Sequence, residues 1–145
     1  MTGMLLVIML AGRRAALPAV RVNSVIEPDR VVPVPRAPAH VAGLGALRSR
    51  PLTIIDCRAA LGFAPGEAAV GGERAVVVEH GGHLYGLKVD AADDIVAAAG
   101  EPSTAAGDPG AGWNRASLGM VESDVGPLLL LDIAKLVSGP PAVAA

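Results

Sequence analysis

The chain opens on a seven-residue apolar run, Met4 to Leu10, with no polar position to mark an exposed face. Such a run predicts a strand buried on both sides. Gly12-Arg13-Arg14 reads as a turn into a second segment, Ala15 to Ile26, where Val20, Val22 and Ser24 alternate as in a half-buried strand. Pro28-Asp29 breaks it, and Pro33, Pro35 and Pro38 then hold the chain to an extended edge or linker. Ala39 to Gly43 reads as one helical turn. Leu52 to Ile55 is a strand of β-favouring residues, followed by Asp56 as N-cap of a short helix, Cys57 to Leu61, that stops at Gly62.

The second half repeats these events. Gly66 to Glu73 is a loop, Arg74 to Glu79 a strand, His80-Gly81-Gly82-His83 a hairpin turn and Leu84 to Val89 the return strand. Gly100 to Gly112 reads as a mobile small-residue loop. Leu128 to Leu131 is the last core strand, and Asp132 caps a short helix, Ile133 to Val137. Residues 139–145 read as a flexible tail after a domain spanning 4–138.

The repetition extends to the letters. Pro51-Leu52-Thr53-Ile54-Ile55-Asp56 returns as Pro127-Leu128-Leu129-Leu130-Leu131-Asp132. GRRAAL followed by PAVRVNSVI, from Gly12, matches GHLYGL followed by KVDAADDIV, from Gly82. Leu44-Gly45-Ala46-Leu47 is echoed by Leu118-Gly119-Met120-Val121. Self-similarity of this kind marks a duplicated unit. Short strands punctuated by Gly and Pro, with no long amphipathic helix, make the fold mainly β. The economical architecture is two small barrels whose Val- and Leu-rich surfaces meet between the halves, since neither buries a sufficient core alone.

Composition narrows the function. A hydrophobic fraction of 52% excludes a disordered chain, and aromatics at 2% leave no platform for stacking nucleic-acid bases. A single cysteine fits a reducing compartment. Met4 to Ala11 lacks a preceding basic region and is too short to span a bilayer, which favours a strand over a targeting segment. The net charge of −2 divides unevenly: residues 1–62 carry eight arginines and three acids, +5, and the remainder 4 basic and 11 acidic residues, −7. That polarity suits oriented association with protein partners.

The order and spacing of these blocks resemble the CheW family of chemotaxis coupling proteins, from Leu5 to about Val137. LLVIMLAGRRAALPAVRVNSVI resembles its opening strands. VVPVPRAPAHVAGLGALRSRPLTIIDCRAALG resembles its proline-rich lead, V-x-G-L turn and L-R-G block. AVVVEHGGHLYGLKVDAADDIV and GPLLLLDIAKL resemble its second half. The resemblance implies two SH3-like five-stranded barrels around a common hydrophobic core, with short helices after Asp56 and Asp132. It implies a non-catalytic, cytoplasmic adaptor at receptor arrays on the inner membrane. Its implied partners are the regulatory domain of a chemotaxis histidine kinase and the cytoplasmic tip of a methyl-accepting chemoreceptor, whose helix would lie in an apolar groove between the barrels. The matching positions for partner binding are Val20, Val22, Val25, Ile26, Leu44, Leu47 and Arg48. Ala46, Ser49, Thr53 and Ser24 depart from the family's usual Asn, Gly, Pro and acidic residue. Ile8 or Leu10 stands where it usually has an aromatic.

Other constellations compete with that reading. Asp56 and Asp132 resemble a catalytic carboxylate pair but sit at matched cap positions. Cys57, with His40, His80 or His83 as base, suggests a thiol hydrolase, though no protease-like signature surrounds it. Glu79, His80 and His83 offer metal ligands at no usual zinc spacing. The arginine-rich first half suggests a nucleic-acid-binding barrel, against which the missing aromatics count. The GxxxxGK loop that cradles phosphate is missing. The resemblance implies no cofactor or metal.

Overall fold

The computed structural model describes residues 3–28, 30–63, 74–104 and 109–140. They form ten strands: β1 (Met4–Leu10), β2 (Arg13–Pro18), β3 (Val22–Ile26), β4 (Val41–Leu47), β5 (Arg50–Asp56), β6 (Arg74–His80), β7 (His83–Val89), β8 (Ala91–Ala97), β9 (Ser117–Val121) and β10 (Leu128–Leu131). Three short helices accompany them: α1 (Cys57–Ala60), α2 (Ala111–Ala116) and α3 (Ile133–Ser138). The expected Gly66–Glu73 loop lies outside the described residues.

The strands make two five-stranded sheets, ordered β8-β1-β2-β10-β9 and β3-β6-β7-β5-β4. Chain continuing past the first strand of each sheet reaches the last and closes it. Val32 bridges Leu44 of β4, and Ser103 bridges Met120 of β9. We call the closed sheets barrel A (β1, β2, β8, β9, β10) and barrel B (β3 to β7). The fold is therefore mainly β with two small barrels, as the sequence implied.

The sequence halves and the barrels do not coincide. The first half gives β1 and β2 to barrel A and the remaining three strands to barrel B. The second half gives β6 and β7 to barrel B and the rest to barrel A. Each barrel joins its two contributions through one parallel ladder, β10 with β2 or β5 with β7, and one antiparallel ladder, β8 with β1 or β3 with β6. The register confirms the duplication. Ile54 pairs with Gly86 as Leu130 pairs with Ala16, and Val25 pairs with Val76 as Ile95 pairs with Leu6.

Alternation along each strand explains the unbroken apolar runs. On β10, Leu128 and Leu130 fill barrel A, whereas Leu129 and Leu131 enter the core between the barrels. On β1, Leu5 and Val7 point into barrel A and Leu6, Ile8 and Leu10 into the shared core. On β6, Val77 fills barrel B while Val76 and Val78 face the shared core. The central stretches Leu5–Ile8, Ala75–Val78 and Leu128–Leu131 are buried on both faces, which is why each is an unbroken apolar run.

Several sequence expectations are corrected. Ala15 to Ile26 is not one strand. Pro18 ends β2, a 3₁₀ turn over Ala19–Arg21 follows, and β3 starts in the other barrel. Pro18 lacks the N–H that would continue the ladder. Ala39 to Gly43 is not helical, because Val41 to Gly43 belongs to β4, where β5 pairs with it. The echo between Leu44–Leu47 and Leu118–Val121 is two residues out of register. Gly43, opposite Ile54, is the counterpart of Gly119, opposite Leu130. Both glycines have positive φ, 153° and 122°, and a β-carbon on either would meet the carbonyl of the crossing chain, at Val32 or Ser103. Pattern matching aligned the wrong glycine because it could not see that crossing. β8 and β9 went unassigned from the sequence, and the expected Gly100–Gly112 loop, of which 105–108 lie outside the described residues, runs into the start of α2 at Ala111. Their sparse apolar residues are split between barrel interior and seam.

Both acid caps form as expected. Asp56 Oδ1 accepts the Ala59 N–H at 3.2 Å, and Asp132 Oδ1 accepts the Ala134 N–H at 3.0 Å. Gly139, assigned to the tail, donates its N–H to the Lys135 carbonyl, and a side chain there would run into the His40 ring.

Removing a cap is expected to lower stability, with Asp56→Ala or Asp132→Ala each costing about 1 kcal/mol in denaturant titration. The β4–β5 turn predicts a gain. Arg48 and Ser49 both adopt left-handed backbone, φ 49° and 69°. Ser49→Gly is expected to stabilise the protein by about 1 kcal/mol, read as a rise in the denaturant midpoint.

Candidate partner-binding surface

The shared core comes to the surface along β3 and β8. On β3, Val22 lies opposite Val78 and Val25 opposite Val76, so both face the seam between the barrels. Val22 packs on the core, whereas Val25 is 41% exposed. The counterpart strand does the same. On β8, Ala92 lies opposite Ile8 and packs on the core, and Ile95, opposite Leu6, is 49% exposed. β8 runs beside β6 of the other barrel. The seam thus carries one half-exposed aliphatic anchor from each barrel. Ile95 was missed from the sequence, although the alignment of PAVRVNSVI with KVDAADDIV already set it against Val25.

The remaining candidates lie elsewhere. Ile26 and Leu47 pack against the interior of barrel B, and Arg48 stands at that barrel's mouth. The mouth encloses a cavity of about 370 Å³ that also involves Glu27 and Arg30. Val20, 88% exposed on the 3₁₀ turn, lines an apolar cavity of about 270 Å³ at the mouth of barrel A. Leu44 is 44% exposed on the outer face of β4.

The competing chemistries find little support. Cys57 occupies the position matched by Ile133 in the other half, and both are buried in the shared core. Burial pushes its thiol pKa far above the ordinary 9.0; the Asp56 and Asp90 carboxylates add to the rise and Lys88 opposes it. His40 is buried, and its Nε2 contacts the Val137 carbonyl at 3.0 Å. His80 and His83 flank the β6–β7 turn, with the His80 ring 6.4 Å from Tyr85. Among the described residues no three His, Cys, Asp or Glu converge where they could hold a metal ion. No helix among them is long and apolar enough to cross a membrane.

Many arginines are committed to internal contacts. Arg58 grips Asp90 through Nε at 3.2 Å and Nη2 at 2.8 Å, and Asp90 also accepts the Ala11 N–H at 3.0 Å. Arg74 pairs with Glu27. Arg13 stacks over Trp113 at 5.2 Å, and Arg115 donates to the Ala60 carbonyl at 2.6 Å. Nor does the charge asymmetry of the sequence halves survive folding as a polarity of barrels. Arg13, Arg14 and Arg21 belong to the barrel A side, and segment 22–89, which builds barrel B, holds seven basic and six acidic residues.

Twin barrels fused through one apolar core, with hydrophobic anchors left at the seam, define a binding module of the two-barrel scaffold class. The chain belongs to the family of the CheW-like domain, whose model matches residues 4–140. That membership supports a chemotaxis-type scaffold and is consistent with a non-catalytic role. The fold is similar to the crystal structure of the scaffolding protein TtCheW from Thermoanaerobacter tengcongensis. The TM-score is 0.74 at 20% sequence identity, covering 92% of this chain and 90% of that one. No curated protein sequence matches the chain.

The buried thiol generates a prediction with a fixed sign. A folded-state pKa above the unfolded one contributes stability that is fully present below the ordinary value of 9.0 and is lost as pH rises past it. Unfolding free energy is therefore expected to fall more steeply above that pH in the wild type than in Cys57→Ala. Native Cys57 is expected to resist thiol reagents until the protein unfolds.

Proposed function

We propose that this chain is a cytoplasmic adaptor that couples a methyl-accepting chemoreceptor to a histidine kinase in receptor arrays, binding both and catalysing nothing. The observation that carries the reading is the pair of half-exposed seam anchors, Val25 and Ile95, set on matched strands of a CheW-like fold. An amphipathic helix from a receptor tip would lay its apolar face along such a row. Arg48 supports the kinase contact. Its guanidinium is exposed on a backbone held in left-handed conformation, and it makes no ion pair among the described residues. An exposed, unpaired planar fork of this kind suits a partner carboxylate.

Co-purification with a chemoreceptor cytoplasmic tip and with a kinase regulatory domain tests the proposal. Val25→Arg and Ile95→Arg are each expected to weaken receptor capture by about tenfold or more. Arg48→Glu is expected to weaken kinase capture, and all three proteins should keep the wild-type melting temperature within a few degrees. Wild-type protein that captures neither partner defeats the reading.

A further inference from the structure

The duplication supplies a comparison within one molecule. Ile54 of β5 and Leu130 of β10 hold matched register positions, and each lines the cavity of its own barrel. Among the described residues, the wall of the barrel A cavity carries no charge. The fold therefore does not require charged groups there. The barrel B cavity, about 370 Å³, has Arg30 and Arg48 in its wall. Arg50 stands close by: it pairs with Leu47 across the turn and lies on the same face of β5 as Leu52.

These three arginines are exposed, and none has an ion-pair partner among the described residues. Glu27 is the one acid in that wall among the described residues, and its carboxylate is already paired with Arg74. The turn that carries Arg48 is strained, since Arg48 and Ser49 both keep left-handed backbone. Cations gathered without counter-charge also repel one another. Strain and repulsion at one cavity point to a ligand whose binding offsets both. Beneath the arginines the wall turns aliphatic. Leu52 and Ile54 are fully buried, and Ile26 and Leu47 pack against the same interior.

We propose that this cavity binds a small organic phosphate with a short alkyl body. Arginine forks pair bidentately with phosphate, and several guanidiniums around one head favour its double charge over the single charge of a carboxylate. No aromatic side chain lines the cavity, so a nucleotide base finds no ring to stack on. The aliphatic wall suits an alkyl chain, and the buried Leu52 and Ile54 close the floor and keep that chain short. A bound phosphate would engage Arg48, the group used by the kinase contact proposed above. The binding itself does not rest on that contact.

Calorimetric titration of the purified full chain, alone, with hexyl phosphate tests the proposal. Saturable binding of one molecule per chain is expected. Inorganic phosphate and hexanol, which supply only the head or only the body, are each expected to bind more weakly by about tenfold or more. Arg30→Gln and Arg48→Gln are each expected to weaken hexyl phosphate binding by about tenfold. Arg36→Gln removes an exposed arginine that does not line the cavity and is expected to leave the binding unchanged. Melting temperatures within a few degrees of wild type confirm that the variants are folded. Four outcomes overturn the proposal. They are no saturable binding, inorganic phosphate or hexanol binding as tightly as hexyl phosphate, a loss in Arg36→Gln equal to that in Arg48→Gln, and capture by phosphatidate vesicles without binding of hexyl phosphate. The last would make the arginines a membrane-facing patch.

Discussion

Everything in this molecule depends on the apolar seam between the barrels. A five-stranded barrel of this size encloses few side chains. Barrel A buries Leu5, Val7, Ala16, Val96, Val121, Leu128 and Leu130, and barrel B only Leu52, Ile54, Val77 and Leu84. The larger cluster lies between them and draws on β1, β2, β5, β6, β7 and β10 as well as all three helices. Burial of apolar surface is the dominant favourable term in folding, and most of it here is available only when both barrels are present. Neither barrel is therefore a candidate for an independent domain.

The exchange of strands between halves enforces the same dependence covalently. Each half hands two strands to one barrel and three to the other, so the crossings at Ala19–Arg21 and at Asp90 both lie on the seam. Polar struts reinforce these crossings. Asp90 holds Arg58 of α1 and the backbone of Ala11 at once, so the corner between β7 and β8 is tied to both barrels. The ion pair is more than a third exposed and solvent-screened, so its value lies in geometry more than in energy. The seam anchors Val25 and Ile95 inherit their positions from this frame: they sit one step along the strand from barrel-lining residues, Ile26 and Val96.

Much of this could be read in the chain beforehand, and the failures have physical causes. Strands with both faces buried were visible because an unbroken run such as Leu128 to Leu131 admits few other readings. Caps were visible because Asp56 and Asp132 act locally. β8 was missed because its residues serve three environments in turn: Ala92 on the core, Ile95 at the surface and Val96 inside the barrel. The assignment of strands to barrels was out of reach, since Pro18 signals a break without saying where the chain goes next. At the candidate surface, Val22 and Val25 were chosen by resemblance, and both face the seam. Ile95 was recoverable only from the internal alignment, and Ile26 and Leu47, chosen with the surface residues, turn inward.

The uneven division of the chain between barrels bears on synthesis. Segment 22–89 contains every strand of barrel B, so that barrel has all its hydrogen-bonding partners as soon as Val89 has emerged from the ribosome. The hairpin of β1 and β2 is made before that barrel but waits longer: its antiparallel neighbour β8 and its parallel neighbour β10 both come after Val89. Until then Leu6, Ile8 and Leu10 have only barrel B to lie against. A hairpin made before barrel B is thus enclosed after it, and a nascent chain halted before residue 128 carries a greasy hairpin with one edge open to whatever strand is nearby.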